Sequence, residues 1–301
     1  MKIFVTGGTG RVGSKVVELL LKNKHQVILL TQSRKIDGCE NVEGDLFSFD
    51  VTRMKGCDAV VHIAGLVKFN SREELFRINV EGTREMVRLA NQFDIPHFIH
   101  ISSISVYGKR DNENITEKTK LYPDTLYAQS KLASEHELEK FKGIKCSLRP
   151  GMIYGPMFTE GFDKALKMIK KGKFYVFGNG NNYVPLVSID LVAQVISFCL
   201  ERKIEGIYNV IDNEKITQNE VLNYVAKLTN SQFKIVKFPF FISSLLISIY
   251  NLISKNIIPY EYIQMLNTNR KVDSQLYHIG FKTKYTQREK LKEFVELLNV
   301  K

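Results

Sequence analysis

The sequence has few cysteines, and no two of them have the close spacing of a metal-binding or redox pair. Four cysteines lie far apart in 301 residues, at Cys39, Cys57, Cys146 and Cys199. This spread excludes a disulfide framework and a zinc ribbon, and it suits a reducing compartment. The six histidines are also scattered, and His97 and His100 fall in a predicted strand, where their spacing puts them on opposite faces. We therefore expect no metal site and a cytoplasmic protein.

Runs of basic residues, internal repeats and low-complexity linkers are also missing. The formal net charge is +11, but lysines and arginines are spread along the whole chain. A nucleic-acid role is not expected, because no basic arm or interleaved aromatic patch is present. With 44% hydrophobic and 25% charged residues, the composition is that of an ordinary globular protein of one large domain or two smaller ones.

The longest uncharged apolar stretch covers residues 238–254. It is shorter than the ~20 residues that a membrane-spanning helix needs, and four serines, Pro239 and Asn251 interrupt it. We interpret it as a buried helix that walls a substrate pocket. The alternative is an in-plane membrane contact helped by Lys237 and Lys255. Met1 leads straight into the first predicted strand, so no signal peptide is expected.

A glycine-rich turn, Thr6-Gly7-Gly8-Thr9-Gly10-Arg11-Val12-Gly13, lies near the N-terminus. The β-branched and aromatic run before it predicts a buried strand, and the apolar residues of 12–22 suit a helix. Glycines in such a turn let the backbone approach a pyrophosphate, which the helix N–H groups and dipole then hold. The turn therefore predicts a dinucleotide site.

The first half of the chain alternates short apolar runs with helical patterns, which indicates βαβ units and a parallel sheet covered on both faces. Helical patterns dominate the second half. We predict a doubly wound α/β Rossmann sheet with a smaller, mostly helical C-terminal substrate lobe. The dinucleotide-binding domain would cover residues 1–155 with later pieces near 184–212, and the lobe mainly 156–301. Predicted strands are 3–5, 26–30, 59–63, 98–101, 146–148, 175–176, 186–188 and 207–210, and predicted helices 73–93, 125–141, 162–171, 189–201, 218–228 and 287–298.

Two further motifs carry chemistry. Tyr127 and Lys131 are four residues apart in a predicted helix and therefore share one face. A nearby ammonium favours the phenolate, so we expect a lowered Tyr127 pKa and a usable general acid/base. Ser103 follows a predicted strand at the edge where a ligand would bind, and its hydroxyl can hydrogen-bond a substrate oxygen.

Together these three motifs resemble the extended short-chain dehydrogenase/reductases, often called the NAD-dependent epimerase/dehydratase family. The resemblance covers nearly the whole chain and is strongest over residues 1–155. It implies Ser103, Tyr127 and Lys131 as catalytic residues, with Tyr127 exchanging a proton, Ser103 holding the substrate oxygen and Lys131 also bound to the nicotinamide ribose. By the same resemblance the cofactor contacts would be Gly7, Gly10, Arg11, Val12, Gly13, Thr31, Arg34, Asp45, Leu46, Ala64, Gly65, Tyr127, Lys131 and Pro150.

The end of the second predicted strand decides between NAD and NADP. NAD-preferring members usually carry an acidic residue there for the ribose 2′-hydroxyl. Here the position falls on Thr31, and Arg34 and Lys35 follow, with Arg11 in the glycine turn. Several cations could bind a 2′-phosphate, so we expect NADP somewhat more than NAD.

The substrate is a small molecule whose class stays open. The resemblance favours nucleotide sugars, as in epimerases and dehydratases. However, the run from Phe177 to Asp190 lacks the arginine that often meets a substrate diphosphate. The alternative is an NADPH-dependent ketone or aldehyde reductase of the dihydroflavonol-reductase or 3β-hydroxysteroid-dehydrogenase type. A remote alternative is a non-catalytic dinucleotide sensor. Members often dimerise through two helices, which would lie near 72–93 and 124–142.

Overall fold

The computed structural model describes residues 1–109, 112–159, 162–238 and 268–300. Its centre is an eight-stranded sheet in the order β12-β8-β6-β5-β1-β2-β3-β4, parallel except for the β3–β4 pair. Three pairs of parallel strands lie outside it: β9 with β11, β10 with β13, and β7 with β14.

The strands are β1 Lys2–Thr6, β2 Gln26–Thr31, β3 Glu40–Asp45, β4 Ser48–Phe49, β5 Ala59–His62, β6 His97–Ile101, β7 Asn112–Ile115, β8 Ile144–Pro150, β9 Met152–Tyr154, β10 Lys173–Phe177, β11 Leu186–Ser188, β12 Gly206–Val210, β13 Lys234–Phe238 and β14 Arg270–Val272. The α-helices are α1 Arg11–Lys22, α2 Arg72–Phe76, α3 Gly82–Gln92, α4 Leu126–Leu138, α5 Phe162–Lys170, α6 Ile189–Arg202, α7 Gln218–Leu228 and α8 Gln287–Val300. Short 3₁₀ turns cover Val51–Met54, Ile104–Tyr107 and Gln275–Tyr277, and a π-helical turn covers Arg77–Glu81.

The sheet is doubly wound, as the alternating sequence pattern predicts. Both of its faces are apolar, because the central strands β1, β2, β5 and β6 are buried over nearly all of their length. On one face α1 packs with α6, and on the other α3 packs with α4. Strand order reverses between β1 and β5, which is the crevice where open α/β sheets bind their ligands.

The long helix predicted over 73–93 is interrupted. The structure has α2, then a π-helical turn, then α3, so the backbone carries an extra residue per turn where one continuous helix is predicted. Strand β3 is absent from the prediction because its sequence, Glu-Asn-Val-Glu-Gly-Asp, has a single apolar residue and no apolar run. It forms by pairing with β2 on one side and with the two-residue strand β4 on the other.

The second half of the chain builds a smaller apolar cluster between α5, α7, α8 and the β10–β13 pair, around Leu166, Ile169, Leu222, Val225 and Val295. It therefore contains short parallel strands as well as the predicted helices. The apolar stretch 238–254 lies outside the described residues, apart from Phe238 at the end of β13. Among the residues that are described, no helix has the length and apolar character needed to cross a membrane.

Candidate active site

The glycine turn leaves no room for side chains. Gly7 has φ +71°, and a Cβ there would lie 2.5 Å from the Ala64 nitrogen. A Cβ on Gly13 would overlap the Gly7 carbonyl oxygen, because α1 begins directly against the turn. These glycines let β1, the turn and the loop after β5 meet at one point, which is the switch point of the sheet.

The N-terminus of α1 fits a dinucleotide pyrophosphate. Gly10 is its N-cap, no side chain caps the first turn and no acidic residue lies in it. The dipole and the N–H groups of the turn therefore favour an anion. Of the neighbouring predicted contacts, Val12 is half-buried and Arg11 is exposed, with its guanidinium 5.6 Å from the centre of the Phe158 ring.

The end of β2 carries the predicted residues for the adenosine ribose. The buried Thr31 donates its hydroxyl to the Arg34 carbonyl oxygen at 2.7 Å, which folds the loop back over the strand end. The side chains of Arg34 and Lys35 are exposed. The hydroxyl of Thr31 is thus committed to the loop that carries the two exposed cations.

The predicted adenine contacts lie at the end of β3. Asp45 is exposed, and its Oδ1 accepts hydrogen bonds from the backbone of Phe47 at 2.8 Å and of Ser48 at 2.9 Å. One carboxylate oxygen therefore holds the β3–β4 turn. Leu46 is buried against Gly82 at the start of α3.

The loop after β5 is tied to the helix that carries Tyr127 and Lys131. Asn79 in the π-helical turn accepts from the Leu66 nitrogen at 2.7 Å and donates to the Leu66 oxygen at 3.0 Å and to Ser130 Oγ at 2.9 Å. Beside this loop, the Lys131 Nζ lies 3.7 Å from the place of a Cβ on Gly65. The structure thus brings Ala64, Gly65 and Lys131 together at the mouth of the crevice.

The side chains of Ser103 and Tyr127 contact each other. Ser103 caps the 3₁₀ turn after β6, and its Oγ accepts from the Ser105 nitrogen at 3.1 Å. Thr125 caps α4 by accepting from the Ala128 nitrogen at 3.1 Å, which places Tyr127 in the first turn of the helix. The Ser103 side chain reaches the Tyr127 phenol and partly lowers its pKa.

The predicted lowering of the Tyr127 pKa is wrong for the protein alone. Burial disfavours the phenolate and raises the pKa of Tyr127, with Ser103 as the opposing cause and no contribution from Lys131. Desolvation also lowers the pKa of Lys131 to about 8, because its ammonium is buried. The sequence shows that the two residues share a helix face but not how much water each loses.

Two buried histidines lie close enough to Lys131 to feel its charge. His62 bonds Thr6 at 2.7 Å and Thr83 at 3.1 Å, and the rings of His62 and His100 are 6.0 Å apart. Burial and the Lys131 charge lower the pKa of His62 to about 3 and the pKa of His100 well below its usual value. Both rings are therefore neutral, and they add no charge to the site.

Sequence reasoning assigned no role to Arg270 and Arg149, which lie next to the site. Arg270 is buried, its Nη2 donates to the Ile104 oxygen at 2.8 Å beside Ser103, and its Nε has no partner among the described residues. Arg149, next to the predicted contact Pro150 at the end of β8, is also buried. The partners of both arginines come from distant parts of the chain, and local sequence patterns do not show such contacts.

Residues 3–210, which include the glycine turn, Ser103, Tyr127 and Lys131, match a known family model described as the NAD dependent epimerase/dehydratase family. The chain belongs to this family. The predictions of family, fold and NAD(P)-dependent enzyme class are therefore confirmed.

Two of the curated relatives of this epimerase/dehydratase family member are named as sterol enzymes. The chain is 25% identical to a sterol-4-alpha-carboxylate 3-dehydrogenase, decarboxylating, from Dictyostelium discoideum, over 71% of this chain and 72% of the relative. It is 27% identical to sterol demethylase protein B from Methylococcus capsulatus, over 76% of this chain and 75% of the relative. Among solved structures, the UDP-N-acetylglucosamine 4-epimerase from Methanobrevibacter ruminantium M1 has a TM-score of 0.79 at 21% identity, covering 99% of this chain and 98% of that one. At this low identity, the similarity to the 4-epimerase structure shows the fold alone.

Proposed function

We propose that the protein transfers a hydride between a nicotinamide cofactor and a secondary alcohol or carbonyl. The observation that supports this most is the convergence of Ser103, Tyr127 and Lys131 beside the uncapped helix N-terminus. Tyr127 exchanges a proton with the substrate oxygen, Ser103 holds that oxygen, and Lys131 binds the nicotinamide ribose. The cofactor supplies the hydride acceptor or donor. An oxidised nicotinamide carries a positive charge and would favour the phenolate, which opposes the effect of burial on Tyr127.

Tyr127→Phe tests this assignment. We expect loss of turnover by about 100-fold or more, since a general acid/base typically contributes 10²–10⁴-fold, with cofactor affinity unchanged. Tyr208→Phe is the matched control, because that hydroxyl donates to the Glu205 oxygen away from the site. Full activity in Tyr127→Phe would refute the assignment.

The substrate that we propose first is a nucleotide sugar. Its support is Arg270, a buried guanidinium with an unpartnered Nε next to the Ser103 turn, which suits an anionic substrate group. The second candidate is a 3-hydroxysterol or a similar apolar ring alcohol, favoured by the two sterol-acting relatives that match about three quarters of the chain.

A substrate panel separates the two classes. A nucleotide-sugar epimerase would interconvert UDP-hexoses without net consumption of cofactor. A sterol or ketone enzyme would consume or produce NAD(P)H stoichiometrically, which absorbance at the reduced-nicotinamide band measures. Binding of no UDP- or dTDP-sugar, together with turnover of a hydroxysteroid, would overturn the first candidate.

We propose NADP as the preferred cofactor. Thr31 replaces an acidic residue at the end of β2, and the exposed Arg34 and Lys35 follow it. Arg34→Ala should weaken NADPH binding about tenfold, as expected for one lost charge-assisted contact, and should leave NADH binding unchanged. An equal effect on both cofactors would contradict the proposal.

We also propose that the residues after 155 bind the substrate. A further proposal is that the protein forms a homodimer. The helices α3 and α4 lie side by side on one face of the sheet, joined on the surface by the Arg84–Glu137 ion pair at 3.1 Å. Sedimentation should give twice the chain mass. Ala133→Arg on α4 should then shift it to the monomer, and a monomeric wild type would rule the dimer out.

A further inference from the structure

Arg149 is the largest fully buried side chain of the described residues, and two hydrogen bonds fix it to the helix of the active site. It stands near the end of β8 and is only 2% exposed. Its Nε donates to Glu135 Oε1 at 2.9 Å, and its Nη2 donates to Oε2 at 2.6 Å. Glu135 lies one helical turn after Lys131 in α4, so this two-pronged contact anchors α4 at the position of the catalytic lysine.

The third donor of the same guanidinium reaches the other catalytic element. Nη1 donates to the Tyr107 hydroxyl at 2.8 Å, and the guanidinium carbon lies 5.0 Å from the centre of the Tyr107 ring. Tyr107 ends the 3₁₀ turn that Ser103 caps. Its hydroxyl in turn donates to Asn209 Oδ1 at 2.8 Å, on the neighbouring strand β12. Arg149 therefore contacts both the turn that Ser103 caps and the helix α4.

We propose that Arg149 is a positioning residue of the active site, whose guanidinium fixes the turn that carries Ser103 relative to the helix that carries Tyr127 and Lys131. This proposal rests on the proposed hydride-transfer function. Ser103 and Tyr127 belong to separate elements, and their hydroxyls must meet on one substrate oxygen. A displacement of about 1 Å at such a site costs up to 100-fold in rate.

The ion pair also balances charge around Lys131. Glu135 raises the pKa of Lys131 against the larger lowering by burial, and Arg149 neutralises that carboxylate. The other titratable groups near Lys131 include Tyr127 on the same helix, His62 on β5 and His100 on β6, and burial favours the uncharged form of each. Loss of either member of the pair therefore changes the field at Lys131, and the two losses act in opposite directions.

The first test removes the hydrogen bonds that join the Tyr107 hydroxyl to Arg149 and Asn209. Tyr107→Phe removes the hydroxyl but keeps the ring against the guanidinium and leaves the Arg149–Glu135 pair intact. We expect kcat to fall about tenfold, with the dissociation constant of NADPH unchanged, because the glycine turn is not touched. Tyr208→Phe serves as the control. An unchanged kcat in Tyr107→Phe would overturn the proposal.

The second test uses pH profiles of kcat/KM. Glu135→Gln removes the carboxylate and leaves a buried arginine charge, so Lys131 should lose its proton about one pH unit earlier and the alkaline limb should move to lower pH. Arg149→Met leaves the carboxylate unpaired, so the limb should move to higher pH. Two shifts in the same direction, or none, would reduce the pair to a packing role.

The variants also separate this proposal from the proposed function. Wild type that binds NADPH but transfers no hydride with any substrate would refute the function itself. If Arg149→Met does not fold, because an unpaired buried carboxylate is strongly destabilising, then Tyr107→Phe and Glu135→Gln decide the matter. Their folding is checked by circular dichroism and NADPH binding before kinetics.

Discussion

At the scale of single residues, the site combines groups that water would normally stabilise. Lys131 is 5% exposed and has a pKa of about 8. Tyr127, His62 and His100 are also shifted toward their neutral forms by burial. The protein thus keeps the charge of Lys131 in a place from which water is excluded, and this lowers the stability of the fold.

Lys131 should therefore lower the stability of the cofactor-free protein. Its folded pKa of about 8 lies below the unfolded value of 10.5. The unfolded chain holds the extra proton between these values, so stability rises with pH across that window, by about 3 kcal/mol in total. Lys131→Met lacks this dependence. Urea unfolding should show the variant as the more stable protein at pH 7, with the gap narrowing by pH 10. A gap that does not change with pH would contradict the burial of a charged lysine.

Gly13→Ala should block the cofactor crevice. The added Cβ would overlap the Gly7 carbonyl oxygen, so the turn must move. Such overpacking costs about 1–3 kcal/mol, and we expect NADPH affinity to fall by at least tenfold in a fluorescence titration. Ser14→Ala, the next residue of α1, is the control because its hydroxyl only bonds the Arg11 oxygen at the surface. Equal affinities of the two variants would count against this site for the dinucleotide.

At the scale of elements, the π-helical turn before α3 matters most. A continuous helix would rotate Asn79 away from the loop after β5. The extra residue in the turn lets its amide bond both Leu66 and Ser130, so one side chain joins the cofactor loop to α4. π-helical turns of this kind occur frequently at functional sites.

Asn79→Ala should loosen that junction. Three hydrogen bonds are lost and partly buried backbone groups of Leu66 lose their partner, at about 1 kcal/mol for each bond. Urea unfolding should show that loss, and NADPH affinity should fall with it. Asn91→Ala is a matched control, since Asn91 bonds the Lys140 oxygen and the Lys142 nitrogen at the surface. The control should lose stability without losing affinity, and loss of affinity in both would point to a general loosening.

At the scale of the whole molecule, the ligand edge gathers segments from distant parts of the chain. The glycine turn, the loop after β5, the Ser103 turn, α4 and Arg270 meet where strand order reverses. A dinucleotide in this crevice contacts the native state alone. At 100 times its dissociation constant it should stabilise the protein by about 2.7 kcal/mol and raise Tm by roughly 4 °C. Differential scanning calorimetry with NADPH and with NADH measures this, and no shift with either would argue against the crevice.

Much of the fold was predictable because local patterns agree with it. The glycine turn lies between β1 and α1 as expected, and α7 and β11 have the predicted bounds. Strand β3 and the π-helical turn were not predictable. The first is a polar strand that exists through pairing with β2 and β4, and the second depends on the hydrogen-bond partners of Asn79.

The sequence by itself determined the family, the doubly wound sheet and the candidate residues Ser103, Tyr127 and Lys131, because each rests on short-range spacing and on strand–helix alternation. The tertiary structure alone decided the protonation energetics of Tyr127 and Lys131 and the partners of Arg149 and Arg270. Desolvation and buried ion pairs depend on which distant segments exclude water from a group, and no local run of residues encodes that.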